Sequence, residues 1–417
     1  MAITYRETTL ENGLRIAAEI DPTANSAAAG FFVKTGARDE RSAEMGVSHF
    51  LEHMMFKGTE KRSAEDVDRD FDSIGVQHNA FTTTELTAFY AHGLPEYLEP
   101  SSEVLADILR PAIRQQDFDD EKQVIIEEIA MYRDQPIWVL YERAMEVFYG
   151  DHPLSHRVLG TDDTVGGMDR DAMLSYFQTR YSADNTILAL AGRLDFDAMV
   201  EAARAHCGHW QRTDTARVFP DVSHQRDRFT VELPTINRHY VMMISPAPSL
   251  TDPRRYAAMM LTQILGDHDG SRLYWAMVET GLADEAVAQY EGHDGCGDYI
   301  VYCSCSPEDA ERAEAAIMTE LDGLVDSLTD DDLQRVRSKV ATSVTLQGEL
   351  PGGRMRRLGQ QLTYHGTYRS LEDELTQINA VTLDDLRELA AEFPITNTVV
   401  GTMCGTTDDA AESAGDE

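Results

Sequence analysis

Strand-like, helical, strand-like and helical stretches follow one another twice along this chain, and that repeat limits its fold more than any other feature. In the first half, RIAAEI (15–20) and AAAGFFVKTGA (27–37) read as strands, and a helical pattern runs from about Ala43 to Phe56 with Gly58 as its stop. A charged helix, SAEDVDRDFDSIG (63–75), precedes a hairpin-like pair, VQHNAFTTTE and LTAFYAHGL, and TILALAG (186–192) reads as a buried strand. In the second half, DRFTVEL and HYVMMISPAP are strand-like, RRYAAMMLTQILGD is helical, and AVAQYEG and GDYIVYCSCS look like paired strands before a further helix. The polar stretch RTDTARVFPDVSHQRDR lies between the halves. The expectation is an α+β protein of two similar tandem domains, each an antiparallel sheet covered by helices. The boundaries read from the sequence are 1–212, a linker at 213–224, a second domain at 225–405 and an acidic tail at 406–417.

The length agrees. A chain of 417 residues exceeds the roughly 250 to 300 at which one hydrophobic core stops growing. Apolar residues make up 42% of it, enough for packed cores. No run reaches the roughly 18 apolar residues that a membrane helix needs, so membrane insertion is not expected. The N-terminus shows no basic region followed by an apolar run, which argues against a signal peptide. Five cysteines without a CxxC pair suggest reduced thiols and a cytoplasmic location.

The net charge is −37, which disfavours a nucleic-acid partner. Lysine is confined to Lys34, Lys57, Lys61, Lys122 and Lys339. Such a surface is either simply acidic and well hydrated or adapted to high salt, where repulsion between carboxylates is screened.

The chemistry concentrates in HFLEHMMFKGTE (49–60). Residues four apart share a helix face, so His49 and His53 can aim both imidazoles at one ion. Glu52 borders that face and can act on water beside the ion without binding it. Two neutral imidazoles, an open coordination position and a carboxylate are what hydrolytic zinc chemistry requires, and HxxEH is the inverted form of HExxH. The second half carries AAMMLTQIL where VSHFLEHMM stands in the first, so it has no histidine pair. A third ligand must come from elsewhere. The helix DDEKQVIIEEIAMYRDQP (119–136) offers Glu121, Glu127 and Glu128. Glu121 and Glu128 share a face, but periodicity alone does not choose between Glu127 and Glu128.

HFLEHMMFKGT, NAFTTTELTAFY and EKQVIIEEIAMYRDQP together resemble the pitrilysin-type metallopeptidases, or inverzincins, of the processing-peptidase-like branch of short two-domain chains. Their signature is HxxEH with a glutamate about 75 residues later, and Glu128 lies 75 positions after His53. The resemblance implies zinc, one Zn2+ per chain, held by His49, His53 and Glu128. It implies Glu52 as general base and Glu121 as an acidic residue that orients a ligand. Asn79, Ala80 and Phe81 match the edge strand that pairs with substrate backbone.

The chain departs from that pattern in its second half. Many relatives carry SRLFxxxRExxGLAY, whose arginine contacts substrate and whose tyrosine helps bind the oxyanion. Here the segment is GSRLYWAMVETGLADEA, in which Ser271, Arg272, Leu273 and Tyr274 match the start. Val278 stands near the expected arginine and Asp284 at the expected tyrosine. Tyr274 has no support from alignment as a replacement. The resemblance further implies that such a chain forms half of a clamshell chamber, completed by dimerisation. The reading is a zinc endopeptidase acting on peptide substrates as a homodimer or, better, as a heterodimer with a related zinc-less chain that brings the arginine and tyrosine. The alternatives are a non-catalytic assembly subunit of the same fold and another metal-dependent hydrolase.

Overall fold

The computed structural model describes residues 3–396 and 398–405. The expected tail at 406–417 lies outside the described residues. The chain divides into two compact units, each built on one sheet, and neither is contiguous in sequence. The first comprises Met1–Ala130, His156–Phe219 and Val344–Leu371, and the second Met131–Ser155, Pro220–Ser343 and Glu372–Glu417.

In the first unit, strands β1 (Thr4–Thr9), β2 (Arg15–Ile20), β3 (Ala27–Val33), β4 (Gln77–Thr82), β5 (Thr87–Gly93) and β6 (Thr186–Gly192) form a sheet in the order β1-β2-β6-β3-β5-β4. Both faces of its centre are covered, and all seven residues of β3 are buried. Helices α1 (Val47–Met55), α2 (Ala64–Ile74), α3 (Leu98–Ile108) and α4 (Gln115–Arg133) lie between β3 and β6 in the chain. Phe50, Leu51, Met54, Phe71, Leu105 and Phe118 from these helices pack with Ile16, Ala18, Phe31, Val33 and Phe89 of the sheet. The alternate residues Ala17, Ala28, Phe32, Ala88 and Ala189 bury against Met355, Leu358 and Leu362. Those three lie on the helix Pro351–His365, which comes from late in the chain. Each such side chain withdrawn from water stabilises by about 1.5–3 kcal/mol. The small alanines let the helix approach closely, and a Cβ on Gly359 would stand 2.2 Å from the Phe32 ring.

In the second unit, β7 (Arg228–Glu232), β8 (His239–Ala247), β9 (Glu285–Gly292), β10 (Gly297–Cys305) and β11 (Val399–Cys404) form a sheet in the order β7-β11-β8-β10-β9. Helix α5 (Pro136–Tyr149), from the first half of the sequence, packs here. Its Leu140, Ala144, Met145 and Phe148 meet Met242, Ile244, Ile300 and Met403.

The α+β architecture stands, with one correction to the sheets. Each contains a parallel pair, β2 with β6 and β7 with β11, beside its antiparallel neighbours. The chain reaches β6 and β11 after long helical excursions, which permit a parallel return where a tight turn does not. Strand β11 escaped the sequence reading because Gly401 weakens its pattern. The glycine is there to admit a ring: a Cβ on it would stand 2.4 Å from the ring of Phe229, its cross-strand partner.

Candidate metal centre

Helix α1 begins later than the apolar pattern suggested, at Val47 rather than near Ala43. Gly46 adopts φ +94°, which breaks any helix running into it. The exposed backbone donors of the new N-terminus are met by Glu40, a residue the sequence reading missed. Its two carboxylate oxygens accept from the N–H groups of Gly46 and Ser48, each at 2.7 Å. Burial pushes the Glu40 carboxyl up to about 8, against those two backbone hydrogen bonds.

The buried face of α1 carries His49, and His53 stands one turn further on, with ring centroids 4.6 Å apart. Helix α4 supplies the third group. Glu128 Oε2 lies 3.8 Å from His49 Nε2 and 3.6 Å from His53 Nε2. One donor atom from each of the three residues falls within 4.8 Å of the others. Glu127 is exposed, whereas Glu128 is half-buried and turned to the histidines. The structure therefore brings Glu128, not Glu127, to the pair.

Glu121, two turns before Glu128 on α4, holds His53 in place. Its Oε1 lies 2.8 Å from His53 Nδ1, and its Oε2 pairs with Lys57. With Nδ1 engaged, His53 presents Nε2 towards Glu128. Burial opposes charge on His53, but Glu121 and the neighbouring carboxylates raise its pKa overall. Burial also resists ionisation of Glu121, yet His53 and Lys57 hold its carboxyl below the ordinary range. His49 is pushed down to about 3 by burial and by repulsion from His53, so its imidazole is neutral at neutral pH.

Glu52 does not join the three. Its Oε2 accepts a 2.6 Å hydrogen bond from Thr82 Oγ1, and burial raises its pKa. Thr82 ends β4, which carries Asn79, Ala80 and Phe81 at the edge of the sheet. Among the described residues β4 pairs with β5 alone, so its outer side can accept a further strand.

The donor set fits zinc. Two imidazole nitrogens and a carboxylate oxygen converge, one histidine is oriented by a carboxylate behind it, and a further carboxylate borders the site.

In the second unit, Tyr274 and Val278 bound a short helical turn, and the exposed Tyr274 hydroxyl donates to Glu279 at 3.1 Å. Asp284 accepts from Arg238 at 2.6 Å just before β9.

Residues 15–162 match the family described as Insulinase (Peptidase family M16), and residues 167–340 match the Peptidase M16 inactive domain. An uncharacterised zinc protease of Streptomyces coelicolor is 34% identical over 399 residues, spanning 93% of this chain and 87% of that protein. A second, from Bacillus subtilis, is 29% identical over 92% of this chain and 94% of its own length. In three dimensions, a protease from Helicobacter pylori superposes with a TM-score of 0.90 at 20% identity, covering 96% of this chain and all of the other. A chain of complex III from Candida albicans does so with a TM-score of 0.81 at 17% identity, covering 95% of each. The chain belongs to peptidase family M16, in its short two-domain form.

Proposed function

We propose that this chain is a zinc-dependent endopeptidase for extended peptides, with one zinc ion held by His49, His53 and Glu128. The observation that carries this reading is the convergence of both Nε2 atoms on Glu128 Oε2, at 3.8 and 3.6 Å. Zinc in such a site supplies Lewis acidity, polarising a carbonyl and lowering the pKa of water to about 7. Glu52 accepts the proton of the attacking water and passes it to the leaving amine. Its raised pKa suits a group that must take up and release a proton. Asn79, Ala80 and Phe81 hold the peptide backbone as an added strand on the outer side of β4. Glu121 fixes the His53 ring.

The developing oxyanion also needs donors, each of which typically contributes about 2.7–4 kcal/mol. Asp284 stands where relatives are expected to place a tyrosine, and its carboxylate accepts from Arg238 rather than donating. Val278 offers no hydrogen-bonding group at all. A related zinc-less chain, associating to complete the chamber, supplies the arginine and tyrosine. The isolated chain, even as a homodimer, is then weakly active.

The test is Glu52→Gln, assayed for zinc content and for cleavage of a quenched peptide with candidate partner chains present. The variant keeps one zinc at this site and loses cleavage by about 10²–10⁴-fold. Loss of the metal, or cleavage at the wild-type rate, refutes the assignment. Vigorous turnover by the wild-type chain alone refutes the need for a partner. The competing role as an assembly subunit draws on the altered 271–284 segment, and it requires that no combination with a partner yields cleavage.

A further inference from the structure

The hairpin β9–β10 places two carboxylates face to face. Glu291 and Asp298 are direct cross-strand partners, and the turn between them closes with the His293 N–H donating to the Cys296 carbonyl at 2.8 Å. Like charges directly opposite one another destabilise a sheet. Burial makes the conflict worse, because a carboxylate withdrawn from water needs a compensating charge or a full set of donors. Asp298 is wholly buried. Among the described residues neither Glu291 nor Asp298 is ion-paired with a lysine or arginine, and the groups supplied to them are otherwise neutral or titratable. His293 Nε2 lies 3.0 Å from Asp298 Oδ2, Tyr149 donates to the same oxygen at 2.7 Å, and Tyr141 donates to Glu291 Oε2 at 3.3 Å. Both donors to Asp298 therefore crowd onto Oδ2. Its other oxygen, Oδ1, is buried with no hydrogen-bond partner. Glu291, His293 and Asp298 each offer a donor atom within 4.8 Å of the others.

We infer that Glu291, His293 and Asp298 form a second metal site in this chain, for a divalent transition-metal ion. A single imidazole with two carboxylates suits zinc, manganese or iron(II) better than the soft-ligand metals. Two positive charges answer both carboxylates, and Asp298 Oδ1 gains the partner it lacks. Tyr149 remains on Oδ2 and fixes the carboxylate from behind, as groups beyond the ligands do in metal sites. A cavity of about 400 Å³, lined by Trp138, Tyr141 and Glu291, reaches the site from the Glu291 side and offers a way in. Because Tyr141 and Tyr149 both lie on α5, the ion fastens the hairpin to the helix that covers this sheet.

The experiment counts metal. Full-length protein is stripped with a chelator and dialysed against Zn2+, and then separately against Mn2+, and bound metal is measured by mass spectrometry. The wild type holds two ions per chain and His49→Ala/His53→Ala holds one. Adding His293→Gln or Glu291→Gln to that background removes the remaining ion. Glu291 is only partly buried at an edge strand, so its variant reports even if the His293 change disturbs the turn. In the His49→Ala/His53→Ala background, metal raises the melting temperature, and Glu291→Gln abolishes the rise. If that background binds neither ion at 100-fold excess over chain, or if its ion survives both ligand changes, the second site is refuted. Failure of the first centre gives a different pattern: one ion in the wild type that persists when His49 and His53 are replaced.

Discussion

Thr82, the last residue of the edge strand β4, donates its hydroxyl to Glu52 at 2.6 Å. One side chain thus joins the edge strand proposed to hold substrate backbone to the carboxylate proposed to transfer the proton. Hydrogen bonds to charged groups contribute about 1.5–3 kcal/mol. Thr82→Val should lower kcat by about 10- to 100-fold on that basis and leave zinc content unchanged. Thr82→Ser should restore most of the rate. Equal rates for the valine and serine variants would show that the hydroxyl does nothing for Glu52.

Glu121→Gln tests the support behind His53. Removing such a partner weakens metal binding by about 10- to 100-fold. The pH dependence separates this from simple damage. Binding needs a neutral His53, and Glu121 raises its pKa, so protonation of His53 competes with metal as the pH falls. In the wild type this acid loss begins at higher pH than an ordinary histidine would give. In Glu121→Gln it should begin at lower pH, even though affinity at neutral pH is weaker. Zinc titrations between pH 5 and 8 measure both, and an unmoved acid limb would contradict the account.

Glu128→Gln should release zinc into a mild chelator far faster than the wild type, while Glu127→Gln should match it. Glu127 is exposed on α4, whereas Glu128 faces the histidines. The reverse order of metal loss would overturn the ligand assignment.

Arg217 offers a test away from the chemistry. Its guanidinium binds Asp39 at 2.7 Å and lies near Glu85, which in turn pairs with Arg38, and all four side chains are buried. Arg180 also lies 3.6 Å from Asp39, so each carboxylate keeps one arginine when Arg217 is removed, and the loss is that of its hydrogen bonds to charged groups, about 1.5–3 kcal/mol. Arg217→Met should lower stability by that amount in denaturant titrations, without changing zinc content.

The same arginine shows where sequence reasoning stops. It lies within the stretch 213–224, whose mixed charge reads as a solvated linker, because composition carries no sign of Asp39 or Glu85 far away in sequence. The HxxEH helix was legible because ligand spacing is local, fixed by the helical repeat. The choice between Glu127 and Glu128 was not legible from that repeat, since it depends on how α4 is rotated against α1. Glu40 was invisible for the same reason: it caps α1 from a preceding loop, and no capping pattern within the helix announces it. The helices that cover each sheet were recognisable as helices, but their destinations were not. An amphipathic pattern says that a face is buried and not which sheet buries it.

That last point sets a timetable for the newborn chain. The alanine-rich face of the first sheet, with Ala17, Ala28, Phe32 and Ala189, waits for Met355, Leu358 and Leu362, which are among the last of its parts to be synthesised. At roughly 5–20 residues per second, the ribosome needs some ten seconds or more after β6 emerges to make that helix. Through that interval the half of the protein that carries His49, His53 and Glu128 presents an open apolar sheet. A fragment cut at residue 212 would stay in that condition permanently, so it should precipitate or hold to chaperones when expressed alone. Supplying the residues 344–371 as a separate peptide should rescue it.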